Sequence, residues 1–198
     1  MMKEGLVYEG PPIDDEDVLS RLPKALQDLL RDTNGFISLR GGLHVRGACT
    51  APDWHSLAVA WDGPRAIYCL YPAVSADDIP FAEDCVGDQF LLRDDAVLKL
   101  DAELGELQEV TTDLGRFWVL AQEAPDELIA SGALASDAGD ALIPGHLLQV
   151  VPPYCLKSET DRSARAIDTL VLRDWHASLA QELAELPDGT TVRFTLKE

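Results

Sequence analysis

The chain is short of positive charge: 16 lysines and arginines stand against 35 aspartates and glutamates, a formal net charge of −19. Such a surface repels nucleic-acid phosphates and anionic lipid headgroups and attracts cations, so neither nucleic acid nor membrane is an expected partner. No apolar run approaches the roughly 18–20 residues needed to span a bilayer. Met1-Met2-Lys3-Glu4-Gly5 leads toward Gly10-Pro11-Pro12 without a basic stretch followed by an apolar one, so no secretory signal is expected and a cytoplasmic location is. The four cysteines, Cys49, Cys69, Cys85 and Cys155, form no Cys-x-x-Cys pair, which sets aside a local zinc or redox motif and leaves reduced, mostly buried thiols.

Motifs that carry chemistry are missing too. His44, His55, His146 and His176 are isolated, without the His-x-x-x-His or His-Glu-x-x-His spacing that puts two imidazoles on one helix face. No Gly-x-Ser-x-Gly, phosphate-binding loop or dinucleotide fingerprint occurs, and Gly41-Gly42 has no following Lys-Ser/Thr. Asp77-Asp78, Glu83-Asp84-Asp88 and Asp94-Asp95 lack the spacing of a calcium loop and read as solvated turn carboxylates. With carboxylates this plentiful, no single pair marks acid/base catalysis. A non-enzymatic protein without metal or cofactor is the expectation; a small hydrolase or ligand-binding enzyme using scattered His and Asp residues is the alternative from another class.

What is present is a folding pattern. With 198 residues, 46% hydrophobic and 26% charged, the chain can bury a core as one domain with a small appendage. Asp14-Asp15-Glu16-Asp17 places negative charge at a helix N-terminus, and Val18, Leu19, Leu22, Ala25, Leu26, Leu29 and Leu30 repeat at three and four. One helix or a broken pair is expected over residues 14–33, closed by a left-handed cap at Asn34-Gly35. Strands follow at residues 36–40 and 43–47, with strand-like runs at 57–61 and 66–71. Residues 77–111 alternate with period two around turns at Val86-Gly87-Asp88, Asp94-Asp95 and Glu103-Leu104-Gly105, a meander of hairpins. A helix is expected from about Thr112, stopped at Gly132, and a weak boundary at residues 133–145. Beyond it lie a strand at 147–153 and a long helix capped by Ser163. That helix presents an apolar face of Ile167, Val171, Trp175, Leu179, Leu183 and Leu186, and a last strand at 190–196 follows it. The fold class is α+β, a mixed or antiparallel sheet with flanking helices and a C-terminal strand–helix–strand extension, with residues 1–135 forming one unit and residues 136–198 docked on it.

Leu22-Pro23-Lys24-Ala25-Leu26-Gln27-Asp28-Leu29-Leu30-Arg31-Asp32-Thr33-Asn34-Gly35 resembles the opening of the SUKH superfamily. Ile79-Pro80-Phe81-Ala82, the Gly87-Asp88 turn, the strands after it and Thr111-Thr112-Asp113-Leu114-Gly115-Arg116-Phe117-Trp118 resemble its second signature. The likeness covers roughly residues 14–130. That superfamily contains bacterial immunity proteins and a yeast regulator of cell-wall synthesis. The resemblance implies a protein that binds and blocks a cognate toxin domain by occlusion, or else a housekeeping interaction adaptor. The acidic balance suits a cationic toxin such as a nuclease, whose own site must attract phosphates. Interfaces gather aromatic anchors within steering charge. The candidate partner-binding residues are therefore Trp54, in a polar loop, and Asp53, Asp62, Asp77, Asp78, Glu83, Asp84 and Asp88.

Overall fold

The computed structural model describes residues 5–130, 132–135, 142–187 and 189–192. It is an α+β protein built on a seven-stranded sheet in which every strand pairs antiparallel with its neighbours in sequence order. The strands are β1 (Tyr8–Glu9), β2 (Phe36–Ser38), β3 (Leu43–Val45), β4 (Ile79–Asp84), β5 (Gln89–Arg93), β6 (Ala96–Asp101) and β7 (Glu106–Thr111). The meander expected from alternation is its larger half. Gly87 takes φ +99°, and Asp84 accepts the N–H of Val86 and of Asp88, both at 3.0 Å, across the β4–β5 turn.

One face of the sheet is covered by α1 (Glu16–Arg21), α2 (Lys24–Asp32), α3 (Leu57–Trp61) and α5 (Leu114–Glu123). The α1 N-terminus is capped by Asp15, whose carboxylate accepts from the Val18 N–H at 3.0 Å. Pro23 splits the expected helix into a pair by forcing Leu22 into extended backbone (φ −76°, ψ 151°). Leu19, Leu26 and Leu30 meet Phe81, Phe90, Phe117 and Ala121 here in the largest core cluster. The second face is covered by α4 (Ile67–Leu70) and by α8 (Thr169–Ala184), so that Ile67, Tyr71, Leu91, Leu98, Leu100, Ala177 and Ala180 form a second cluster. Between α5 and this C-terminal part lie α6 (Pro125–Leu128) and α7 (Gly132–Ala135), and Gly132 opens a helical turn where it was expected to close one.

Two further expectations change. The runs at 57–61 and 66–71 are short helices, not strands: Ser56 caps the first by accepting the Val59 N–H, and burial of Leu57, Ala60 and Trp61 at three and four replaces alternation. Five apolar residues fit either period, and alanine tips the balance to helix. Ser163 does not cap a helix, because Ser163–Asp168 forms β9, paired with β8 (His146–Val151) in a separate two-stranded sheet. Asp168 caps α8 instead, accepting from Leu170 and Val171 N–H at 2.9 and 3.0 Å. The helix is consequently turned. Its buried positions include Leu172, Arg173, His176, Ala177, Leu179 and Ala180, while Val171 is 52% exposed.

The C-terminal part packs on the large sheet through the Leu148 N–H to Cys85 carbonyl bond at 2.7 Å, the Cys155 N–H to Glu103 carboxylate bond at 2.7 Å and the Arg65–Asp174 ion pair. The expected boundary at residues 135/136 adjoins residues 136–141, outside the described residues. The expected last strand lies outside them from Arg193 onward, and Thr190, Thr191 and Val192 are not in a strand. Among the described residues no helix is long and apolar enough to cross a membrane.

Candidate functional site

The eight residues expected at a partner surface divide sharply. Asp78, Glu83 and Asp84 are buried, at 2%, 0% and 1% exposure. They do not form an acidic face. Asp78 holds Arg93 in a bidentate pair, both contacts at 2.7 Å, and accepts the Ser75 N–H. Asp84 and Asp88 share Lys99 at 3.2 and 3.0 Å. Burial and the neighbouring Asp88 push Asp84 up to about 7 against the pull of Lys99. The expectation that these carboxylates are solvated fails because sequence spacing does not reveal their cations, which lie on other strands. Asp53, Asp62 and Asp77 do face solvent, Asp62 while paired with Arg21 at 2.6 Å.

Glu83 belongs to a row that crosses the whole sheet, register partner by register partner: Tyr8, Ile37, His44, Glu83, Gln89, Leu100 and Leu107. Its middle three members are polar, and Arg46, just past β3, joins them. Glu83 accepts from Arg46 Nη2 at 2.6 Å and Gln89 Nε2 at 3.1 Å on one oxygen and contacts His44 Nδ1 at 2.8 Å on the other. Arg46 also donates to the Pro80 and Ala82 carbonyls and to Gln89 Oε1. Burial opposes the charge on Glu83, but Arg46 and His44 outweigh it and hold the carboxyl at about 2.

From His44 the row turns toward the edge of the sheet. His44 Nε2 meets His55 Nδ1 at 2.8 Å, and His55 Nε2 donates to the Asn34 carbonyl at 3.0 Å. Three contacts in series need three protons, and two neutral imidazoles bring one N–H each. A third proton, shared between Glu83 and His44, would complete the series. Burial lowers His44 on balance, with the ionised Glu83 opposing it. His55 is kept neutral, pushed down to about 3 by burial and by His44.

Three glycines make room for His55. A Cβ at Gly10, Gly35 or Gly47 would stand 2.4, 2.6 or 2.8 Å from an atom of its ring. Gly35 has the expected left-handed backbone (φ +74°), but α2 is closed by Thr33, whose N–H reaches Leu29 O. Its glycine is required by the approach of His55, Gly47 and Val45 as much as by φ. Gly35→Val is expected to lower unfolding free energy by about 2 kcal/mol or more, from strained backbone and overpacking together, measured by urea titration.

Trp54 is half-buried, its ring 5.2 Å from Tyr8 and from His44 and 5.3 Å from His55. It also meets Gly145, where a Cβ would lie 3.0 Å from Nε1. It serves as a joint between the sheet edge and the C-terminal part, and is not a free anchor. The cleft it shares with Ile37, His44, Gly145 and His146 has about 10 Å³, room for roughly one water.

An imidazole oriented by a carboxylate becomes a general base when its far nitrogen reaches substrate. Here the far nitrogen meets a second imidazole that ends on a backbone carbonyl, with His44 and His55 at 4% and 0% exposure. The chain braces the fold. Its signal in the sequence was the alternation Leu43-His44-Val45-Arg46, whose polar members turn inward because helices cover both sheet faces. Among the described residues no group of three or more His, Cys, Asp and Glu could hold a metal ion.

The outer surface offers a different arrangement. Asp14 accepts from the Thr50 N–H at 2.6 Å and the Thr50 hydroxyl at 2.9 Å. This ties the start of α1, with exposed Glu16 and Asp17, to the loop carrying exposed Asp53. An open groove of about 430 Å³ runs beside it, lined by Glu9, Pro12, Arg31 and Asp32 among others. No family model matches this sequence, and no curated protein is significantly similar to it.

Proposed function

We propose that the chain is a non-catalytic binding protein of the immunity type, which blocks a cationic toxin domain by stoichiometric occlusion, as the SUKH resemblance implies. The distribution of charge carries this reading. Of the 16 basic residues, Arg21, Lys24, Arg65, Arg93, Lys99 and Arg116 are paired with carboxylates, and Arg46 and Arg173 are buried. The acid excess therefore faces outward with few cations to mask it, which favours fast encounter with a basic protein and disfavours acidic ones. The edge built from Glu16, Asp17 and Asp53, beside the groove at Glu9 and Asp32, replaces the 77–88 segment as the steering surface.

The test is the rate of association with the cationic effector encoded by the neighbouring gene. Glu16→Lys combined with Asp53→Lys is expected to slow association on the order of tenfold at low salt and to flatten its salt dependence, leaving dissociation nearly unchanged. An unchanged association rate refutes steering by this edge. Failure of the effector to bind the unmodified protein at all refutes the function.

A further inference from the structure

The face of α8 that covers the polar row carries an unusual feature. Arg173 is 4% exposed, yet its Nε and Nη2 have no hydrogen-bond partner. Beneath it, Arg46 Nε is also buried without a partner. Burial, and after it Arg46, push Arg173 down to about 10, with Glu83 pulling the other way. His176, one turn along the same helix face, has an unpartnered Nδ1.

The carboxylates within reach are already engaged. Both oxygens of Glu83 are occupied by Arg46, Gln89 and His44. Asp88 takes Lys99 and the Ala102 N–H, Asp84 takes Lys99 and two backbone N–H groups, and Asp174 lies at the surface with Arg65. The unmatched guanidinium atoms are donors only, and the His176 Nδ1–H tautomer adds a fourth donor. What this layer lacks is an acceptor that brings no protons of its own. Water fits poorly, since it must place two hydrogens among donors. Two guanidiniums in the interior also outnumber the ionised carboxylate beside them, Glu83.

We propose that the layer between α8 and the β3–β5 strands is an internal binding site for a small inorganic anion of the halide or nitrate class, held by Arg173 and Arg46. The close approach of Gly87, where a Cβ would stand 3.1 Å from His176 Nδ1, favours a small anion over a larger one. The anion would tie the C-terminal part to the sheet, so its binding reads out as stability.

The experiment uses the full chain. Thermal and urea unfolding are followed as chloride replaces gluconate at fixed ionic strength, with the unmodified protein and Arg173→Met. The unmodified protein is expected to gain stability with chloride, its folded-to-unfolded ratio rising about 100-fold when chloride reaches 100 times its dissociation constant. Arg173→Met, which removes two of the four unmatched donors and keeps the side-chain volume, is expected to fold and to lose that dependence. Crystals grown or soaked in bromide are expected to show an anomalous peak in hydrogen-bond contact with Arg173. Stability independent of chloride, an equal dependence in Arg173→Met, or bromide elsewhere only would each overturn the site.

Discussion

Glu83→Leu is expected to cost about 3–5 kcal/mol, because it leaves Arg46 charged, buried and without its carboxylate. The size follows from asymmetry. A buried ion pair gains little over apolar packing, but half of one is costly, since the surviving charge keeps its desolvation penalty and loses its partner. Here the survivor cannot escape to solvent: Arg46 is 1% exposed, and its Nη1 is held by the Pro80 and Ala82 carbonyls. His44 loses the acceptor at its Nδ1 as well. Arg46→Met should cost a similar amount, by stranding Glu83 with only Gln89 and His44. The double variant is the decisive one. If the pair acts as a unit, Glu83→Leu with Arg46→Met should cost about 2–3 kcal/mol less than the sum of the two single variants, the interaction read from the double-mutant cycle. Urea unfolding of the four proteins measures it, and simple additivity would show that the two residues stabilise the sheet independently.

Six of the seven strands of the large sheet were legible in the sequence; β1, in a stretch that reads as a loose lead-in, and the interior of the second face were not. Alternation over residues 77–111 and the turn residues Gly87, Asp94 and Gly105 specify local hairpins, and the structure contains those hairpins. The α1–α2 break follows from Pro23 acting on Leu22, again a local effect. Beyond that, local signals misled wherever a distant partner decided the outcome. Ser-Ala-Arg-Ala-Ile-Asp at 163–168 suits a helix start by propensity and becomes a strand because β8 pairs with it across twelve residues at its near end. Apolarity puts Val171 on the buried face of α8, yet Arg173 and His176 are buried in its place because that face lies over the polar row. The acid cluster at 77–88 reads as surface because acids are mostly exposed. Its neutralising partners, Arg46, Arg93 and Lys99, are brought to it by strand register that no single-sequence pattern encodes. Trp54 reads from its polar neighbours as a free loop aromatic, but Tyr8, His44 and Gly145, none of them adjacent in sequence, pack against it.

His176→Phe is expected to make the protein more resistant to acid. His176 is 2% exposed on α8, and burial pushes it down to about 4, with Asp88 pulling weakly the other way. The folded-state value lies below the ordinary imidazole value near 6.5. Between the two, the unfolded chain binds a proton that the folded chain refuses, so this residue's contribution is intact above about 6.5 and is lost as pH falls toward 4. One such group gives about 1.4 kcal/mol per pH unit, near 3 kcal/mol over the interval, which is a large part of the stability of an ordinary domain. The same acid range also titrates His55 and, in the opposite sense, Asp84, so the pH profile of the unmodified protein sums several residues. The difference between the two proteins isolates His176. Phenylalanine keeps the ring against Gly87 and Leu147 without a group to protonate. The unfolding free energy of His176→Phe minus that of the unmodified protein should grow by about 3 kcal/mol from pH 6.5 to pH 4, measured in gluconate without chloride so that anion binding does not enter. A difference that stays flat with pH would mean that His176 takes its proton in the folded state, from contact with solvent or with Asp88, and that the α8 face opens more readily than its burial implies.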